Sequence, residues 1–145
     1  IEISPLNRKA IEDHFLFPYI SLLEGSSIDP TIVSKVKKNI KPSDKVLVLL
    51  DSNHTYTHVL DELKAYSPMV SIGSYIVATD GIMEYVAGAP RTNPDWKTNN
   101  PKKAAEQFVK ENPDFIIEEP AFPFNEGLIT ERVTYWPSAF IKKVK

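Results

Sequence analysis

"VLVLLDSNHTYTHVLDELKAY", residues 46–66, decides the fold. Five aliphatic residues run into Asp51, and a polar knot of Ser52, Asn53, His54 and Thr55 follows. Tyr56, Val59, Leu60 and Leu63 then recur on one side of a helical pattern. Such an unbroken aliphatic run is expected of a strand buried on both faces of a parallel sheet. Asp51 falls at the tip of that strand, because an unpaired carboxylate is costly to bury. There it is hydrated, hydrogen-bonded or bound to a metal.

On the N-terminal side, "IEIS" predicts a first strand and "PLNRKAIEDH" a helix, with Ser4 as N-cap and Pro5 at the first helical position. "YISLLEG" predicts a strand ending at Gly25. Asp29 and Pro30 give the clearest helix start in the chain, with Ile32, Val33, Val36 and Ile40 behind them at helical spacing. On the C-terminal side, Pro68 closes the helix and "GSYIVATD" predicts another strand ending in an acid, Asp80. Residues 87–101, "AGAPRTNPDWKTNNP", predict a mobile surface loop. Asn100 and Pro101 then cap a helix that turns Ala104, Ala105, Phe108 and Val109 inward. "DFIIEE" and "RVTYWPSAFIKKV" predict a closing antiparallel pair.

The order β-α-β-α-β-α-β-α-β-β implies an α/β fold, a doubly wound and mostly parallel sheet with one mixed edge. Ligands of such sheets sit at the carboxyl ends of the strands. The polar ends are Glu2, Gly25-Ser26-Ser27, Asp51 to His54, and Asp80-Gly81.

Bulk properties narrow the classes. The 145 residues suit a single domain, 1–145, with 42% hydrophobic and 25% charged residues. A net charge of −2 provides no basic field for nucleic acid. The chain contains no long uncharged apolar span for a membrane helix. Having no cysteine, it has no disulfides, thiolate zinc sites or cysteine nucleophiles, as fits a cytoplasmic protein. Its opening, "IEISPLNRKA", lacks Met and a signal composition, and reads as a chain entered in mid-structure.

Each strand end has a chemical reading and a plain one. Glu2 is placed to accept ribose hydroxyls, or simply ends a short strand. Gly25, Ser26 and Ser27 let a backbone approach a ligand, or cap the helix at Asp29. Asp51 and Asp80, on adjacent parallel strands, bring two carboxylates within reach of one divalent cation, or each caps its own turn. His54 and His58 are four residues apart, but Thr55 stands where a zinc protease needs glutamate, so His54 is read as a general base or substrate contact. His58 is read as packing or solvent-facing. "NHT" at 53–55 matches a glycosylation sequon and is read as a helix-entry turn.

"LLEGSSID", "KVLVLLDSNHTYTHVLDELKAYSPMVSIGSYIVATDG" and the closing "FIKKV" resemble the cephalosporin hydroxylase family, whose relatives include the rhamnosyl O-methyltransferases. This family sits in the class I S-adenosylmethionine-dependent methyltransferase superfamily. The resemblance covers nearly the whole chain. It implies a Rossmann-like sheet with a reversed final hairpin, bound S-adenosylmethionine and often Mg2+. Glu2 falls on the family's ribose-binding acid, and Gly25, Ser27 and Ile28 on its adenine-side loop. Asp51 falls on a metal-binding aspartate beside the cofactor, and Asp80 on a second metal-binding aspartate.

The sequence departs from that pattern in two places. Nothing before Ile1 supplies the family's first strand and glycine-rich loop, so the sheet is expected to lack its centre, an arrangement open to pairing with a second copy. Thr79 and Gly81 flank Asp80 where metal-binding members carry a further ligand, leaving Asn53 or His54 to complete the set. The expected function is S-adenosylmethionine-dependent O-methylation of a hydroxyl on a sugar or small natural product, with Asp51 and His54 as catalytic groups and Arg91 and Trp96 on the acceptor side. The alternatives are a hydroxylase of the same fold and a catalytically incomplete domain used for binding or assembly.

Overall fold

The computed structural model describes residues 5–119 and 134–145. Helix α1 (Pro5–Glu12) and helix α2 (Pro30–Asn39) precede strand β1 (Val48–Leu50). Helix α3 (Tyr56–Tyr66), strand β2 (Tyr75–Ala78) and the single turn α4 (Met83–Val86) follow. Helix α5 (Pro101–Glu111) leads to strands β3 (Phe115–Ile117) and β4 (Phe140–Lys143).

The four strands form one sheet in the order β1-β2-β4-β3. β1 and β2 are parallel, with Val48 opposite Ile76 and Leu50 opposite Ala78. β4 runs antiparallel to both β2 and β3. The expected α/β class and reversed closing hairpin are therefore present. The sheet is mixed: β1, β2 and β3 run in one direction, and β4, inserted between β2 and β3, runs against them. The expected first strand and its central place fall outside what the described residues test.

One face of the sheet carries the core. Ile76, Ala78, Ile141 and Phe115 pack with Val59, Leu63 and Tyr66 of α3 and with Ala104, Ala105 and Phe108 of α5. Phe108 and Phe115 meet edge to face at 5.2 Å. On the opposite face Leu49 is 54% exposed and Ile116 42%, so β1 is not buried on both sides as its sequence suggests. Double winding is thus not seen among the described residues.

Three further expectations change. "YISLLEG" is not a strand: residues 20–24 pair with none of the four, and an extended pattern needs a ladder partner to become a strand. The long closing strand shortens to Phe140–Lys143, because Pro137 has no N–H to donate and Ser138 turns left-handed at φ 58°. Residues 87–101 are partly helical, with a 3-10 turn at Pro94–Lys97. That segment is tied down by Asn99, whose side chain accepts from the Tyr56 N–H at 2.8 Å, and by Asn100, which donates to the Trp96 carbonyl at 2.8 Å.

Candidate active site at the acidic strand tips

The parallel register of β1 and β2 brings their carboxyl ends side by side, and both acids follow from it. Thr79, almost fully buried, places its hydroxyl 2.8 Å from Asp51 Oδ1 and 3.0 Å from the Leu50 carbonyl, where it can donate to either. Asp80 sits in the left-handed region at φ 57°, a conformation Asp adopts more readily than most residues and one that collects at functional sites. Gly81 follows because a Cβ there would lie 2.6 Å from the Pro137 carbonyl. The glycine that stands where a further ligand was sought thus lets the β2 tip pass close under the segment leading to β4.

His54 enters between the two acids. Its Nε2 is 3.3 Å from Asp51 Oδ1 and 3.6 Å from Asp80 Oδ2. One ligand atom from each of Asp51, His54 and Asp80 lies within 4.8 Å of the others. Two carboxylate oxygens and an imidazole nitrogen make a donor set that suits a divalent cation. The turn that aims His54 is local: the Asn53 side chain accepts from the Thr55 N–H at 3.0 Å, so "NHT" is the helix-entry turn its position suggests.

His58 does not join His54. It lies 3.1 Å from the Ser27 hydroxyl and 3.6 Å from Glu62 Oε1, while Ser52 donates to the same Glu62 oxygen at 2.8 Å. Glu62 is 2% exposed, and its second oxygen has no hydrogen-bond partner among the described residues. Tyr66 donates to the Ser27 carbonyl at 2.7 Å. Burial, and then the charge of Glu62, push the Tyr66 phenol above its ordinary value, so it keeps the proton it donates. Ser27 is therefore gripped at its side chain and its backbone by α3. Gly25 and Ile28 flank Ser26 and Ser27 in this loop; Gly25 has φ 140° and faces Ile32 so closely that a Cβ would lie 2.9 Å from it. Glu2 lies outside the described residues.

Two cavities open on either side of the rim. One of about 320 Å³ is lined by Ser26, Ser27, Asp51, Ser52, Asn53 and His58. The other, of about 490 Å³, has His54 and Asp80 at one side and Ile82, Met83, Val86, Trp96 and Tyr135 around the rest. Trp96 lines this cavity, whereas Arg91 is exposed and does not line it. The α4 wall is fixed by the Ile82 N–H donating to the Tyr135 carbonyl at 3.0 Å, and by Glu84, which pairs with Lys102 at 2.5 Å and Lys103 at 3.0 Å. Burial opposes the charge on Glu84, but hydrogen bonds from both lysines outweigh it and hold its carboxyl below the ordinary glutamate value.

Glu62, Tyr66 and the α4 wall were not singled out from the sequence. His58 and Glu62 stand at i, i+4, a spacing that flags a pair on one helix face. The wall residues carried no such mark.

The two cavities lie at the carboxyl ends of the parallel strands, where ligands of α/β sheets commonly sit. The sequence matches the rhamnosyl O-methyltransferase/CmcI family over residues 1–144, and the chain belongs to that family. It is similar to the rhamnosyl O-methyltransferases of Mycobacterium tuberculosis and Mycobacterium bovis, 33% identical over 99 residues that are 67% of this chain and 38% of theirs. The Mycobacterium leprae rhamnosyl O-methyltransferase is 31% identical over 98 residues, 66% of this chain and 40% of its own length. The match thus spans about two fifths of these relatives. No solved structure matches the chain significantly. No helix among the described residues is long and apolar enough to cross a membrane.

Proposed function

We propose that the protein is an S-adenosylmethionine-dependent O-methyltransferase acting on a hydroxyl of a sugar or related small molecule, at the rim formed by Asp51, His54 and Asp80. The observation that carries this reading is the position of His54, between two carboxylates and at the mouth of the larger cavity. Relatives named for methyl transfer to a rhamnosyl group support the chemistry.

The residues divide into two sides. Ser27, held by His58 and Tyr66, and Asp51 face the smaller cavity, and with Gly25 and Ile28 of the same loop they form the side assigned to the methyl donor, to which the family resemblance adds Glu2. S-adenosylmethionine, when bound, supplies an electrophilic methyl carbon. On the other side His54 takes the proton from the acceptor hydroxyl, while Asp51 and Asp80 orient the imidazole and stabilise its cationic form. With a divalent cation the roles change: the same three side chains would hold it, and it would lower the pKa of a coordinated hydroxyl in place of base catalysis by His54. Oxygen-only surroundings favour Mg2+, and the imidazole moves the preference toward Mn2+ or Zn2+.

The same donor set weighs against the hydroxylase alternative. Among the described residues it holds one imidazole and two carboxylates, whereas the usual non-haem iron triad holds two imidazoles and one carboxylate.

Calorimetry of the full-length protein with S-adenosylmethionine, with and without Mg2+ or Mn2+, tests the reading. Binding is expected, and its absence under both conditions would overturn the assignment in favour of a binding or assembly domain. His54→Gln should lower turnover by about 10²–10⁴-fold, and undiminished turnover in this variant would take the base role from His54.

A further inference from the structure

Helix α3 carries a polar stripe beside its core-facing Val59 and Leu63. His58, Glu62 and Tyr66 stand four residues apart and therefore share a face. Each reaches out of the helix to the donor side. His58 lies 3.1 Å from the Ser27 hydroxyl, Glu62 accepts from the Ser52 hydroxyl at 2.8 Å, and Tyr66 donates to the Ser27 carbonyl at 2.7 Å. Glu62 is the middle member. Its Oε1 also lies 3.6 Å from His58 Nε2, so one carboxylate oxygen serves the routes to both serines. Glu62 and Tyr66 border a further cavity of about 350 Å³ that shares Ser27, Asp51 and Ser52 with the smaller one.

Packing alone does not call for a carboxylate at this position. Glu62 is 2% exposed and its Oε2 has no hydrogen-bond partner among the described residues, which costs stability relative to an apolar side chain of similar size. A buried polar group of this kind is expected where its hydrogen bonds set a geometry that apolar packing would leave free. We propose that Glu62 is a positioning residue for the methyl-donor side: through Ser52 it fixes the tip that carries Asp51, and through His58 it fixes Ser27. This rests on the methyl-transfer reading. At 2% exposure Glu62 acts through its two serines and not on the ligand itself. Both walls of the donor cavity are then in place before the ligand arrives, and binding needs less ordering of side chains.

The test is calorimetry of S-adenosylmethionine with the full-length protein, and a denaturant midpoint measured alongside separates positioning from folding. Glu62→Met should weaken donor binding about 10-fold, the worth of one well-aligned hydrogen bond, and leave the midpoint at or above that of the wild type. Glu62→Gln keeps an acceptor for Ser52 and should recover most of the affinity. Ser52→Ala, at a half-buried position, should weaken the donor by a similar factor whether or not Glu62→Met folds. Combining the two substitutions should add little, because both act through one bond. Undiminished donor affinity in Glu62→Met or in Ser52→Ala, or full additivity of the pair, overturns the inference while leaving the methyltransferase reading intact. Absence of S-adenosylmethionine binding to the wild type overturns that reading and the inference with it.

Discussion

Helices α2 and α5 begin with the same device and end in opposite circumstances. Each opens on an Asx-Pro pair, Asp29-Pro30 or Asn100-Pro101, and in each the Asx side chain accepts from a first-turn N–H. Yet α2 buries none of its residues, whereas α5 buries Pro101, Ala104, Ala105 and Phe108. The upstream segment repeats the contrast: α1 has no buried residue, and Leu6 and Phe15 are both 79% exposed. A cap and an amphipathic stripe therefore specify where a helix starts, while the partner on which its stripe lands determines what the helix contributes.

The sharpest break in that comparison is a truncation inside each region. Leu63→Ala, at a side chain with no exposure, should cost about 2–5 kcal/mol, and Leu6→Ala should stay within about 0.5 kcal/mol. Denaturant midpoints of the two variants check this. Next in size are the caps. Asn100→Ala removes the acceptor for Lys103 N–H and the donor to Trp96, in a fully buried position, and should cost about 1–2 kcal/mol. Asp29→Ala should leave the global midpoint unmoved and show only as faster hydrogen exchange in the first turn of α2.

Acid gives a smaller and more local effect. The carboxyl of Glu84 sits below the ordinary value of 4.5, so the stabilisation it provides is complete above that pH and is lost as pH falls through the depressed value. Trp96 fluorescence in a Trp136→Phe background should therefore change below pH 4.5, as α4 loosens from α5. Lys102→Met should abolish that step. If the transition persists unchanged, Glu84 is not its source.

Much of this molecule was legible before its structure. The two Asx-Pro starts, the strand before Asp51 and the strand before Asp80 all depend on local signals, and parallel neighbours force their tips together. Other features turn on partners distant in the chain. Residues 20–24 look extended but find no ladder, and the helix-like turn at Pro94–Lys97 is fixed by Asn99 reaching Tyr56, 43 residues away. His58 looked idle because its partner Ser27 lies 31 residues upstream. The third member of the acidic rim, His54, was visible as a candidate, but its place between Asp51 and Asp80 needed the register of two strands.

One feature of the sheet bears on how the protein behaves in a tube. Among the described residues β1 has a neighbour on one side only, and Leu47 and Leu49 beside its bare edge are 60% and 54% exposed. Such a margin is a template on which extended segments of other molecules can lay themselves down. Concentrated solutions of these residues alone should therefore clump through this seam, and a lysine introduced at Leu49 should keep them apart.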